Sequence, residues 1–419
     1  MARVMNDSGI EWIGEIPEEW ECKKLKFCSQ FVQQKYGDMS DNSLPYIGLE
    51  NVVSWNGRYI ETDSQYDKEQ SVLFQKGDIL WGKLRPYLAK VYHAKSDGCC
   101  SGEFCVIRIG RQYSDRYFWN LLISSEFVST VDRSTYGTKM PRANADFIKN
   151  VVVPVPPINE QSRIADFLDA ECARIDAVIE QTRASIEEYK KLKQAVITEA
   201  VTKGIRPGRK MKDSGIEWVK ELPEDWAVIP SKYLFRNSDM RRLDNDEQMT
   251  ASQQYGIITQ AQYMELTGAK VVFANKGLED WKHVEPYDFI ISLRSFQGGL
   301  EMSETTGCIT WHYIVLKPCK PIYSYYFKWL FKSELYIKAL QRTCNFIRDG
   351  QDLRYSNFVQ VPLFEPSLEE QKGIADYLNK KCAEIDQLIS KKESFAAELE
   401  SYKKSLIFEY VTGKKEVPV

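Results

Sequence analysis

DSGIEWIGEIPEEW at residues 7–20 returns as DSGIEWVKELPEDW at 213–226, and PPINEQSRIADFLDAECARIDAVI at 156–179 returns as PSLEEQKGIADYLNKKCAEIDQLI at 366–389. The first pair is offset by 206 residues and the second by 210, so about four residues of insertion separate two tandem units. Between the repeated blocks the sequence has diverged. A shared, two-fold-like frame therefore carries two different inserts, which suits one kind of job done at two places with two specificities.

The second repeated block opens a long heptad pattern. Leu168, Ile175, Tyr189 and Val196 share one heptad position and Cys172, Ile179 and Ile186 the other. The later copy answers with Leu378, Ile385, Leu399 and Leu406, accompanied by Cys382, Ile389 and Ala396. This is the four-three spacing of a coiled-coil seam. Both copies place a polar residue, Thr182 or Lys392, at the same midpoint, where it can fix alignment. Pro156 and Pro157 precede the first helix and Pro366 the second, and Gly204 and Gly413 stop them. Each helix is expected to run about 44 residues, or ~66 Å at 1.5 Å per residue. Matching seams favour pairing of the two with each other, because separate helices would expose long apolar stripes. The equivalent Cys172 and Cys382 read as small apolar seam residues.

At 419 residues and 43% hydrophobic, the chain can bury two substantial cores, and no apolar run approaches the ~20 residues of a membrane span. The N-terminus MARVMNDSGIEW lacks the apolar stretch of a secretory signal. The ten cysteines form no CxxC pair, so a reducing cytoplasm is the expected setting. Cys99, Cys100 and Cys105 lie close in sequence, but three histidines in all, none at ligand spacing, argue against a metal site. Net charge is -3, and the two heptad segments, 160–203 and 369–413, each hold nine acids against seven bases. The rest of the chain is therefore +1, and attraction to a polyanion must come from local clusters.

The intervening blocks, 21–150 and 227–360, read as mixed α/β globular domains. YIGLENVV, GDILWGKL and FCVIRIG have strand character and YFWNLLISSEFVSTV that of an amphipathic helix; QYGIITQ, YDFIISLR, TWHYIVLK and YYFKWLFKSELYIKAL echo this plan. Basic residues interleave with aromatics and amides in WGKLRPYLAK (81–90) and STYGTKMPRA (134–143), as in loops that grip phosphate and read base edges. Solvated loops have a similar composition.

Catalytic motifs are missing from the sequence. It contains no GxxxxGK[ST] loop for a nucleoside triphosphate and no GxGxxG turn for a dinucleotide. Pro156-Pro157 is flanked by Val155 and Ile158, not by the Asn or Asp and the aromatic that an amino-methylating enzyme uses to hold a flipped base. Glu18, Glu19 and Glu21 with Lys23 resemble a nuclease motif only as chance would among 59 acidic residues. His93, His283 and His312 have no sequence-identifiable nucleophile and read as structural. The chain is expected to be non-catalytic.

DSGIEWIGEIPEEW, GDILWGKLRPYLAKV and the PPINEQSRIADFLD entry into a long helix, all recurring in a second unit, closely resemble the specificity subunit of type I restriction-modification enzymes. The resemblance spans essentially the whole chain. It implies two α/β target-recognition domains joined by two long antiparallel coiled-coil helices, each domain reading half of a bipartite DNA site while the helices act as a ruler. The expected divisions are 1–155 and 207–365 for the recognition domains, 156–206 and 366–413 for the helices with a linker, and 414–419 for a tail. The resemblance also implies partners: double-stranded DNA, two methyltransferase subunits supplying S-adenosylmethionine, and motor-nuclease subunits using ATP and Mg. No cofactor is expected on this chain.

Candidate DNA contacts are Lys83, Arg85, Tyr87, Tyr136, Thr138, Lys139 and Arg142 in the first domain. Arg294, Gln297, Arg348, Gln351, Arg354 and Tyr355, in SLRSFQGG and FIRDGQDLRYS, are their counterparts in the second. The competing roles are structural ion pairs and phosphate-only contacts. A scaffold or decoy that sequesters methyltransferase subunits without reading DNA is the rival function, and it would lack convergent basic and amide residues. A nuclease with a site hidden in one insert would need clustered metal-ligating carboxylates.

Overall fold

The computed structural model describes residues 3–36, 44–62, 71–135, 139–271, 273–274, 277–292, 295–343 and 353–418. Tyr136, Thr138, Arg294, Arg348 and Gln351 lie outside them. The chain divides into two compact units, residues 1–183 with 393–419, and residues 184–392. Each unit thus owns one α/β domain and half of each long helix, a division that the linear sequence does not display.

The long helices run Ile158–Lys203 and Leu368–Val411, within a residue or two of the limits set by the prolines and glycines. Their first turns are closed from inside. Gln161 Nε2 donates to the Pro156 carbonyl at 2.8 Å and Gln371 Nε2 to the Pro366 carbonyl at 2.9 Å. Glu160, and Glu369 with Glu370, place carboxylates at the positive end of each helix. At the other end Gly204 (φ +76°) and Gly413 (φ +72°) take the left-handed turn that ends a helix without a Cβ penalty.

Within the first unit the seam buries Leu168, Ile175 and Ile179 with Leu406, Ile407 and Tyr410. Asp176 pairs with Lys403 at 2.7 Å and Arg183 with Glu400 at 2.5 Å. One partner's number rises as the other's falls, so the helices are antiparallel. Within the second unit Ile197, Ala200 and Val201 pack with Ile374, Leu378 and Cys382, and Lys193 pairs with Asp386 at 2.6 Å. Ile186 and Ile385 are buried there, while Ile389, like Leu399 of the first unit, is half-buried. The polar midpoints differ in their solution. Thr182 is buried and returns its hydroxyl to the Val178 carbonyl at 2.8 Å, whereas the Lys392 ammonium sits 5.7 Å from the centre of the Tyr189 ring.

Each unit holds a four-stranded antiparallel sheet of the same order. In the first the order is Ser29–Val32, Phe104–Ile109, Ile79–Gly82, Val91–His93; in the second it is Phe235–Ser238, Ile314–Pro318, Phe289–Ile291, Glu301–Met302. The diverged inserts therefore share one topology. Trp81, Tyr117, Phe118 and Phe127 fill the first core, and the second is an aromatic box in which Phe235 packs edge-on against Phe289, Phe327 and Phe358.

The segments expected as single amphipathic helices are helix pairs: Asp115–Ile123 with Ser125–Arg133, and Ser324–Lys332 with Glu334–Arg342. Ser124 and Ser333 cause the break. Each leaves the helical conformation (ψ 147° and 140°) and turns its hydroxyl back to a leucine carbonyl three residues earlier at 2.7 Å. Ser333 also caps the following helix. YIGLENVV is likewise a two-residue strand, Tyr46–Ile47, followed by a turn of 3₁₀ helix at Leu49–Asn51.

Candidate nucleic-acid interface

In the first unit, the strand Ile79–Gly82 runs straight into the basic loop that follows it. Pro86 opens a single 3₁₀ turn, Pro86–Leu88, and the flanking Arg85 and Ala89 both adopt left-handed backbone (φ +50° and +46°). Two non-glycine residues in that conformation within five positions mark a loop whose shape is imposed by its surroundings. The imposing contacts are with the segment after residue 139. Arg85 N–H donates to the Pro141 carbonyl at 2.8 Å and Ala143 N–H to the Lys83 carbonyl at 2.9 Å; on the other side Lys83 N–H donates to the Glu103 carbonyl at 2.8 Å.

Backbone pairing of 83–85 with 141–143 thus lays the chain at Lys83 and Arg85 alongside Arg142, which stands opposite Leu84. Arg142 is exposed and holds Glu103 at 2.7 Å. Tyr87, two residues after Arg85, is 46% exposed, and Lys139 is exposed at the start of the second segment. An exposed ion pair such as Arg142–Glu103 contributes little to stability, so its cation is available to a polyanion at small cost.

In the second unit Gln297 is exposed on the short helix Ser295–Gly298. Arg354 is exposed ahead of the turn Tyr355–Phe358, and its own N–H donates to Asn357 Oδ1 at 3.0 Å. Tyr355 has a structural task. Its hydroxyl donates to the Phe235 carbonyl at 3.0 Å and its ring stacks on Phe358, tying that turn to the sheet. Sequence reasoning missed the hairpin Met249–Ser252 with Gly256–Thr259, whose tip presents Gln253, Gln254 and Tyr255 in a groove shared with Gln297. The signal was present as QQYG between two strand-like runs.

One ionic clasp recurs in each unit. Arg3 holds Glu19 and Glu160, lies 5.4 Å from the centre of the Trp20 ring, and Trp20 Nε1 donates to Glu160 at 2.9 Å. Arg209 does the same with Asp225, Glu370 and Trp226, where the indole bond is 3.1 Å. The glutamate of each repeated Glu-Gln pair is therefore a tether for the repeated hairpin, and the glutamine is a helix starter. A second equivalence supports the sheets. Asp78 pairs with Arg108 at 2.7 Å and Asp288 with Lys317 at 2.8 Å, each aspartate also receiving a backbone N–H three residues earlier at 2.8 Å.

The histidines have structural partners. His93 meets Asp115 at 2.9 Å, buried His283 meets Asp246 at 2.8 Å, and the His312 ring stacks on Trp311. Burial pushes the Cys105, Cys172 and Cys382 thiols up to about 11, which leaves them unsuited to nucleophilic work at neutral pH. Among the described residues no group of three or more His, Cys, Asp or Glu could hold a metal ion, and no helix is long and apolar enough to cross a membrane.

Residues 13–188 match the family model of the type I restriction modification DNA specificity domain. Over 427 residues, 97% of this chain and 96% of the relative, the sequence is 25% identical to the "Putative type I restriction enzyme MjaX specificity subunit" of Methanocaldococcus jannaschii. It is 22% identical over 190 residues, 44% of this chain and 42% of the relative, to the EcoDI specificity subunit of Escherichia coli. A solved structure of a type I restriction-modification system in complex assembly shares the fold with a TM-score of 0.72 at 17% identity, covering 96% of this chain and 99% of that one. The HsdS subunit of Thermoanaerobacter tengcongensis shares it with a TM-score of 0.51 at 18% identity, over 96% and 98% of the two chains.

Proposed function

We propose, from the premise that this chain belongs to the specificity subunits of type I restriction-modification enzymes, that each of its units reads one half of a bipartite DNA target. The chain is a DNA sequence-recognition subunit and is not itself an enzyme. The observation that carries the two-half reading is internal. The clasps at Glu160 and Glu370 and the sheet order are kept in both units, while the surface loops differ in kind, basic at 83–85 and 141–143 but amide-rich at 253–254 and 297. A frame kept constant under two different reading surfaces is what two unlike half-sites require.

Lys83, Arg85, Tyr87, Lys139 and Arg142 are assigned to the first half-site, with Tyr136 and Thr138 of the sequence stretch 134–143; Gln297 and Arg354 are assigned to the second, with Arg294, Arg348 and Gln351 of the sequence stretches around them. Arg and Lys suit phosphate and the guanine edge, and Gln the adenine edge. Tyr355 contributes its ring alone. The paired helices are the docking surface for two methyltransferase subunits, which bring S-adenosylmethionine; motor-nuclease subunits with ATP and Mg complete the assembly in the cytoplasm. The unread spacer between half-sites follows from the lengths of the helices.

Methylome sequencing of cells that carry this chain with its methyltransferase subunits tests the reading. A bipartite methyladenine motif is expected. Exchange of residues 21–150 for the same block of a relative is expected to alter one half of that motif and leave the other half and the spacer unchanged. Loss of the motif's bipartite character, or change of both halves together, would overturn the assignment.

A further inference from the structure

The second unit contains a groove of about 720 Å³ in which the hairpin tip at 252–256 faces the short helix Ser295–Gly298. Its geometry is fixed on both sides. At the tip, Ser252 Oγ accepts from the N–H groups of Gln254 and Tyr255 at 3.3 Å each, and Gly256 supplies the left-handed turn (φ +73°). Across from it, Ser295 Oγ accepts from buried Ser292 N–H at 2.8 Å, and Gly299 (φ +78°) donates its N–H back to the Ser295 carbonyl at 2.9 Å.

Gly298 is the contact point between the two sides. A Cβ placed there would lie 2.8 Å from Gln253 Nε2 and 3.0 Å from its Cδ and Cγ, so the bare glycine makes the space in which the Gln253 amide lies. Gln253 therefore sits beside the residue that follows Gln297. The side-chain amides of Gln253, Gln254 and Gln297 are exposed and have no hydrogen-bond partner among the described residues. Gln262, in the same groove, is already spent on the Thr259 N–H at 3.2 Å.

The charges of the groove cancel. Lys328 pairs with Glu304 at 2.9 Å, Lys332 with Glu301, and Lys193 with Asp386 at 2.6 Å. What the surface offers to a ligand is a set of neutral donor–acceptor amides held on hydrogen-bonded turns. A glutamine amide matches an adenine in the major groove, giving its N–H to N7 and accepting from the N6 amino group, whereas guanine presents two acceptors there and calls for Arg or Lys.

Building on the reading of the chain as a two-half DNA reader, we infer that Gln253 and Gln297 are specificity-determining residues that select adenine in the second half-site. Gly298 is the positioning residue for Gln253. The first unit, whose paired segments 83–85 and 141–143 carry Lys83, Arg85 and Arg142, selects guanine instead, so the two half-sites differ in base composition in a stated direction.

The test uses the full chain assembled with its methyltransferase subunits on a library of duplexes randomised at every target position, read by sequencing of methylated products. Gln253→Ala and Gln297→Ala are each expected to lower the preference for adenine at one position of the second half-site by roughly 5- to 150-fold, the range of one bidentate contact. The first half-site should stay as in the parent. Gly298→Ala keeps both glutamines and pushes the Gln253 amide aside, so it should reproduce Gln253→Ala alone. Retained methylation with an unaltered second half-site in all three variants would overturn the inference and leave the two-half reading standing. A parent complex whose motif is not bipartite would instead overturn that reading.

Discussion

Trp20 donates its indole N–H to the Glu160 carboxylate at 2.9 Å across 140 positions of sequence, joining the repeated hairpin to the first turn of the first long helix. Trp226 and Glu370 make the same bond in the second unit, at 3.1 Å. In both, an arginine stacked on the indole completes the clasp. The two copies differ in depth. The Glu370 side chain is 4% exposed and that of Glu160 is 21% exposed.

That difference in depth predicts unequal mutants. Glu370→Ala leaves Arg209 without its buried partner and is expected to destabilise the second unit by about 3–5 kcal/mol. Glu160→Ala, closer to water, should cost about 1–3 kcal/mol. Denaturant midpoints of the two variants check this, and equal losses would remove burial as the cause.

Ile175→Asp and Ile385→Asp each place a charge in a buried seam position and are expected to cost several kcal/mol. Each should act in its own unit. Hydrogen exchange should rise in 158–183 and 393–411 for the first variant, and in 184–203 and 368–392 for the second. Co-purification of methyltransferase subunits should be lost in the double mutant; its full retention would argue against the helices as docking surface.

The basic loop of the first unit allows contact to be separated from folding. Arg85 is left-handed, so Arg85→Gly suits the backbone and should change stability by less than about 1 kcal/mol. It should nonetheless relax base preference at one position of the first half-site by about 1–3 kcal/mol. Lys139→Ala should weaken binding alike on all sequences and reduce the slope of affinity against salt by about one. A Lys139→Ala variant whose loss depended on sequence would make that residue a base reader.

A pH effect follows from Asp115. The hydrogen bond from His93 holds its carboxyl below the ordinary carboxylate range, against the opposing effect of burial. A carboxyl depressed on folding adds stability that is present above its unfolded pKa and is lost as the pH falls through the folded value. The first unit should therefore lose this contribution only in acid, below the ordinary carboxylate range. Asp115→Asn should lower stability at neutral pH and flatten that part of the acid transition, as followed by thermal unfolding at several pH values.

By itself the sequence determined the doubling, the heptad seams and the ends of both long helices. Repetition and periodicity are local signals, and Pro156, Pro366, Gly204 and Gly413 act through their own backbone. The absence of nucleotide-binding motifs and the family likeness were legible for the same reason. Only the tertiary structure decided that Glu160 and Glu370 are tethers, that Ser124 and Ser333 split the expected helices, and that each unit takes half of both long helices. It also decided that 83–85 pairs with 141–143 through the backbone, that Tyr355 is committed to the Phe235 carbonyl, and that Gln253 lies against Gly298 beside Gln297. These relations join residues far apart in the chain. Their energy comes from burial and from hydrogen bonds formed after the cores have closed, and such pairings leave no period in the sequence.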